Sequence, residues 1–412
     1  MLLGLLVLGP GAKWWLVHVD GVKVGGEGGL AGKDLTDALE TVRDRAKAMG
    51  TALLAVVALS YTASTTKSAD RSARASLEAV AAAQEAQRRT HELTERGQRT
   101  DRFTAAVAQL GDSSPVIQLG GVHALALLAD DSPTREFRQA CIDELCAFLR
   151  LPYDPDPGDR PAERQGARVD PAEHARARAA YRAGREVRHT VIRIIGSHLR
   201  DGAPISWQGH NLDFTDVIFD GGDFNGAVFT EADVSFRGAR FISGKVSFSG
   251  AEFNCPRAHS SQAENHTFKV DFSGAEFAGA MVNFSRARFV GGVVDFTNAE
   301  FSASSVDFGG SEFAGAMVNF SNVRFTGSRV SFTLARFTGG GLVFTCAKFA
   351  SGSVDFKHST CTSGAVFFGG AEFADGVADF TRAEFAEGTV NFSQAHGQRP
   401  QGLPDGVADH LS

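Results

Sequence analysis

Phenylalanine recurs through the second half of this chain at spacings of five and seven residues, and few folds can use that series. In VDFSGAEFAGAMVNFSRARF, residues 270–289, it falls at 272, 277, 284 and 289. A helix repeats every 3.6 residues and a strand every two, so neither period generates the pattern. Followed in both directions, the series runs through Phe214, Phe219, Phe224, Phe229, Phe236, Phe241, Phe248 and Phe253. It continues through Phe272, Phe277, Phe284, Phe289, Phe296, Phe301, Phe308, Phe313, Phe320, Phe325, Phe332, Phe337, Phe344, Phe349 and Phe356. After Cys361 it resumes with Phe368, Phe373, Phe380, Phe385 and Phe392. Of 32 positions in phase between 214 and 397, 28 are Phe, and the exceptions are Ser260, Asn265, Cys361 and Gly397.

A smaller apolar residue stands two before almost every Phe, as at Val270, Ala275, Val282 and Ala287. The pair therefore points to one side of a very short strand. Between the pairs lie Asp, Asn, Ser, Arg, Glu and Gly, which suit turns and solvent. No single unit can bury its own Phe, but stacked coils can, each Phe packing on those above and below. The predicted fold is a β-helical solenoid over 209–396.

This pattern resembles the pentapeptide-repeat family, most directly in NLDFTDVIFDGGDFNGAVF, residues 211–229. The resemblance implies a right-handed quadrilateral β-helix with the central Phe and the residue two before it pointing inward. From 232 onward two residues are added at every second corner. A four-sided coil would then hold 24 residues, eight coils would make a rod of roughly 38 Å at the usual strand spacing, and two-sided 12-residue coils are the alternative. The segment NCPRAHSSQAENHT, 254–267, keeps the phase, since the interval from Phe253 to Phe272 is the sum of a seven, a five and a seven. It reads as a degenerate unit in register, and Cys255, His259 and His266 as residues of that unit with no metal assigned to them.

The amino-terminal part is different material. Residues 48–66 carry no charge between Lys47 and Lys67, and as a helix would span about 28 Å, enough for a bilayer core. Residues 1–19, apolar and ending near Trp14 and Trp15, form a possible first membrane segment, with 20–47 as a short external loop. Lys67, Arg71, Arg74, Arg88, Arg89 and Arg96 then place the remainder in the cytoplasm by the positive-inside rule. Residues 67–96 read as a cytoplasmic helical stalk, and 97–151 as a small α-helical module whose third helix runs from Pro133 to Arg150. There Cys141 and Cys146, five apart, are expected on different faces. A Pro- and charge-rich linker with a helix spans 152–184, and a helix over 185–208 would cap the open end of the solenoid. The tail is 397–412. The order resembles actinobacterial membrane-associated pentapeptide-repeat proteins, through TDRFTAAVAQLGD, LGGVHALALLADDSP and REVRHTVIRIIGSHLR before the ladder.

The sequence shows no catalytic constellation, so no catalytic, cofactor or metal residues are assigned and an enzyme is not expected. Five scattered cysteines form no disulfide framework. The expected function is that of a membrane-tethered protein-interaction scaffold, with the bilayer and an unknown protein as partners and no direct nucleic-acid binding. The alternative is a mimic of duplex DNA acting on DNA gyrase, which the resemblance admits. Residues 209–396 hold 20 acids against 13 Lys and Arg, so the sign fits. The density falls short of the one charge per about 1.7 Å of duplex DNA.

Overall fold

The computed structural model describes residues 11–154, 156–159, 170–254, 269–385 and 389–403. They divide into two compact units, Met1–Gly97 and Gln98–Ser412.

In the first unit, helix α1 (Gly11–His18) packs Ala12 and Leu16 against Val42 near the start of helix α2 (Lys33–Leu110). The stretch expected as a loop to residue 47 is therefore helical from Lys33. Gly25, Gly26, Gly28 and Gly32, all at positive φ, confine the irregular chain to the residues before it. The 78 residues of α2 contain no proline and are not interrupted at 66 or 96. One stretch of α2 is long and apolar enough to cross a membrane.

The second unit contains the last turns of α2, then α3 (Pro115–Asp130), α4 (Arg135–Arg150) and α5 (Pro171–His198). Helix α4 starts two residues later than the sequence suggested. Thr134 is the cap, and its side chain accepts from the Phe137 N–H. Cys141 and Cys146, expected on different faces, are both fully buried. The reason is that α4 packs against α3 and against the first solenoid strand, so two of its faces are covered. Burial pushes both thiols up to about 12, which makes them packing groups and not nucleophiles.

After α5 the described chain winds into a parallel β-solenoid of strands two to four residues long. They stack as four sheets of eight, eight, seven and seven strands. We call them faces one to four, beginning at Leu212–Asp213, Ile218–Phe219, Gly222–Asp223 and Val228–Thr230 respectively. Phe277 pairs with Phe301 and Phe289 with Phe313, so the coil is four-sided and takes the longer of the two lengths that the phase allowed. The first coil is shorter, Phe219 pairing with Phe241, because its second corner lacks the two extra residues. Rings stack along each face, as Phe284, Phe308 and Phe332 do at 4.8 Å. Rings of faces one and three meet edge-on across the core, as Phe296 and Phe308 do at 6.2 Å. Offset stacks and edge contacts are both favoured aromatic geometries. Every ladder Phe is buried except Phe385 in the last coil, which is half-buried.

One reading from phase does not hold. Phe241 pairs with Phe277 and Phe253 with Phe289, each half a coil further along the sequence than the regular interval. The strand ending at Asn254 belongs to face four and the next, Lys269–Asp271, to face one. That corner normally takes seven residues from Phe to Phe, yet Phe272 lies twelve positions beyond where seven would put it. The described strands pair directly across that surplus, Val234 with Val270 and Phe253 with Phe289. Residues 255–268, with Cys255, His259 and His266, lie outside the described residues.

The solenoid opens onto α5. Val187, Val191, Ile195 and Leu199 are buried on one stripe, and α5 lies across the first coil near Gly222–Asp223. A Cβ at Gly196 would sit 2.3 Å from the Asp223 carbonyl oxygen, so only glycine permits this approach. The Val228 N–H donates to the Leu199 carbonyl, giving the exposed edge of the first coil a partner.

Candidate interaction surface

With the ladder inside, what remains for recognition is the outer side of four faces, and the sequence gives each a different chemistry. On faces one and three the residue just before each Phe is usually Asp, Asn or Ser. At Asp213, Asp223, Asp271, Asp295, Asp307, Asp355 and Asp379 the carboxylate accepts the backbone N–H two residues on, at 2.8–3.0 Å. This Asx turn sets up a corner whose next residue takes positive φ, as at Asn298, His358 and Arg382. The acid excess of the rod thus has a local structural cause. Lys269 bridges Asp271 and Asp295, and Lys357 bridges Asp355 and Asp379. Burial alone would raise the Asp295 carboxyl, but the bonds from Lys269 and Thr297 hold it below its ordinary range.

Faces two and four carry charges of both signs, most of them paired. Arg240 pairs with Glu276, Arg324 with Glu300 and Lys348 with Glu372 on face two. Arg288 lies between Glu252 and Glu312 on face four. These exposed pairs add little stability each, but they leave no continuous field of one sign.

Face one breaks its own rule in two adjacent coils. Val343 and Phe367, in register with each other, occupy the place of the turn-forming Asp and cannot accept its hydrogen bond. Phe367 is 37 % exposed and Met317, beside Gly341, 43 % exposed. Across Met317–Asn319, Gly341–Val343 and Ala365–Phe367 the face bears no charge. It is an uncharged, apolar strip, and the Phe367 side chain there points away from the ladder; Met281 and Leu334 are exposed apolar side chains elsewhere on the rod. The only sequence signal was Phe367 standing next to Phe368, one residue out of phase.

The corner between faces two and three forms an open groove of about 660 Å³ across five coils. Its small residues Gly244, Ala280, Ser304, Ser328 and Gly352 lie between Lys245, Met281 and Arg329.

A buried polar cluster locks the helical cap to the first coil, and sequence reading did not find it. Asp220, 3 % exposed, accepts from the hydroxyls of Tyr153 at 2.8 Å and Tyr181 at 2.6 Å, and its carboxylate also meets His189 at 2.9 Å and Arg185 at 3.2 Å. Arg188 lies over the Tyr153 ring at 4.3 Å and donates to the Leu149 and Ile218 carbonyls. Burial would raise the Asp220 carboxyl, but bonds from His189, Tyr181 and Tyr153 outweigh it and hold it well below the usual carboxylate range. Burial and the bond to Asp220 push Tyr181 up to about 12. These groups satisfy one another at an internal junction.

Among the described residues no group of three or more His, Cys, Asp or Glu is placed to hold a metal ion. The ladder residues named from sequence are brought together as one core and contribute no reactive group. No family model, no curated protein and no solved structure matches this chain.

Proposed function

We propose that this chain is a non-enzymatic, membrane-tethered scaffold that offers its solenoid to a protein partner in the cytoplasm, with the uncharged strip around Val343 and Phe367 as the docking face. A β-solenoid repeat fold suits a protein-interaction scaffold. The observation that carries the reading is the exchange of two turn-forming positions for apolar side chains, Phe367 exposed and Val343 half-buried. Such a local breach of a fold's own rule marks function in preference to stability. Mimicry of duplex DNA, with gyrase as target, is the weaker reading, since seven aspartates are committed to corners and two faces carry paired charges of both signs.

Phe367→Asp separates the two roles. It restores the turn-forming residue, so the variant is expected to be at least as stable as wild type, by about 0.5–1 kcal/mol in urea unfolding. Yet it should lose the partner that full-length wild-type protein captures from membrane extract. Undiminished capture by a well-folded variant would remove face one from consideration.

The tether rests on residues 48–66 of α2, every one of them exposed. After an alkaline carbonate wash, full-length protein is expected in the membrane pellet and a chain starting at Thr66 in the supernatant. If both are soluble, the tether is wrong.

A further inference from the structure

Helix α2 raises a physical problem beyond the membrane segment. Each described side chain from Lys47 to Gln98 is exposed, so between residue 66 and the packed last turns near Ala106 and Leu110 the described side chains bury nothing within this chain. A helix stabilised by no packed face is marginal in water.

Its charges supply the answer. Between Ala73 and Thr94 the positions at alternating spacings of four and three are Ala73, Leu77, Val80, Gln84, Gln87, His91 and Thr94. None is formally charged, and neither are the flanking Ser76, Ala83 and Thr90. All six charged residues of the stretch fall off the seam: Arg74 and Arg88 on its other flank, and Glu78, Glu85, Arg89 and Glu92 on the outer side. On that outer side Arg89 pairs with Glu85 at 3.0 Å along the same helix. Leu77 and Val80, 69 % and 54 % exposed, head a seam with the 3.5-residue period of a coiled coil.

We propose that this seam pairs with the same seam of a second copy of the chain, as a parallel, in-register coiled coil over Ala73–Thr94. Self-pairing places like residue against like, which a charged seam would resist and this one does not. Leu77 and Val80 meet their own copies as apolar layers. Gln84 and Gln87 meet theirs as amides able to donate and accept at once, the polar layers that fix register in such helices. The parallel direction rests on the tether proposed above, since two copies anchored in one bilayer leave it on the same side.

The test uses full-length protein in native membranes carrying one added cysteine, at L77C or Q84C on the seam or R89C on the outer side, under mild oxidant. The unsubstituted chain is the control for the native cysteines. L77C and Q84C are expected to give a covalent homodimer at least about fivefold above R89C and the control. Equal yield at all three positions overturns the seam, as does the absence of homodimer at L77C and Q84C. A product of foreign mass assigns the seam to another protein. An antiparallel pair is revealed if L77C cross-links only with co-expressed H91C, and overturns the parallel arrangement. Recovery of the homodimer from a soluble fraction would leave the seam standing and remove the tether instead.

Discussion

Phe308→Ala is expected to cost about 4 kcal/mol, the middle of the range for truncating a buried aromatic. Its ring lies between Phe284 and Phe332, each at 4.8 Å, and meets Phe296 and Phe320 edge-on at 6.2 and 6.1 Å. Deletion therefore breaks two stacks and two cross-core contacts, and coils held rigidly on both sides cannot collapse into the gap. A solenoid is a chain of nearest-neighbour interfaces, so the damage should be local. Amide hydrogen exchange should accelerate in the coils around 284–332 and change little near 214–236. Phe385→Ala, at a half-buried terminal rung, should cost less than half as much. Equal losses at the two sites in urea titration would contradict a stacked core.

Asp220→Ala is the second large effect, at about 3 kcal/mol, because it strands Arg185, His189 and two tyrosine hydroxyls against a buried site. The cap should loosen before the ladder. Near-ultraviolet circular dichroism from Tyr153 and Tyr181 should fall at lower urea than the far-ultraviolet signal. The same carboxylate sets a pH dependence. Its folded pKa lies well below the unfolded value of about 3.9, so its stabilisation is complete above that value and is lost as pH falls toward the folded pKa. Wild type should lose cap stability progressively below about pH 4, whereas Asp220→Asn should lack that component. Parallel acid curves for the two proteins would remove Asp220 from this role.

The ladder was legible because burial leaves a period, and a Phe every five or seven residues admits no simpler explanation than stacked coils. The length of the coil was not settled by that phase. Opposite corners carry the same two extra residues, so two faces and four fit equally until Phe277 is seen beside Phe301. The surplus after Asn254 was illegible for a related reason, since the interval from Phe253 to Phe272 satisfies either one corner with excess or three faces in phase. The Asp220 cluster left no local trace, because Tyr153 and Asp220 are 67 positions apart and meet only when α5 lies on the first coil. Cys146 misled because helical periodicity foresees one covered face, and α4 has two. The seam on α2 was thin in apolar residues, and the informative pattern was where the charges were missing.

The equivalence of opposite corners has one more consequence. VDFSGAEFAGAMVNFSRARF at 270–289 returns as VDFGGSEFAGAMVNFSNVRF at 306–325, an offset of one and a half turns. The first copy begins on face one and the second on face three. The coil thus has an approximate twofold symmetry about the rod axis, and the unit that was copied is the half-coil, not the coil. Gaining or losing an odd number of half-coils leaves the interior ladder unchanged but rotates everything beyond it by half a turn. The twelve surplus residues before Lys269 are one such half-coil in length. By length alone, a rod of this kind can choose which side it turns toward a partner.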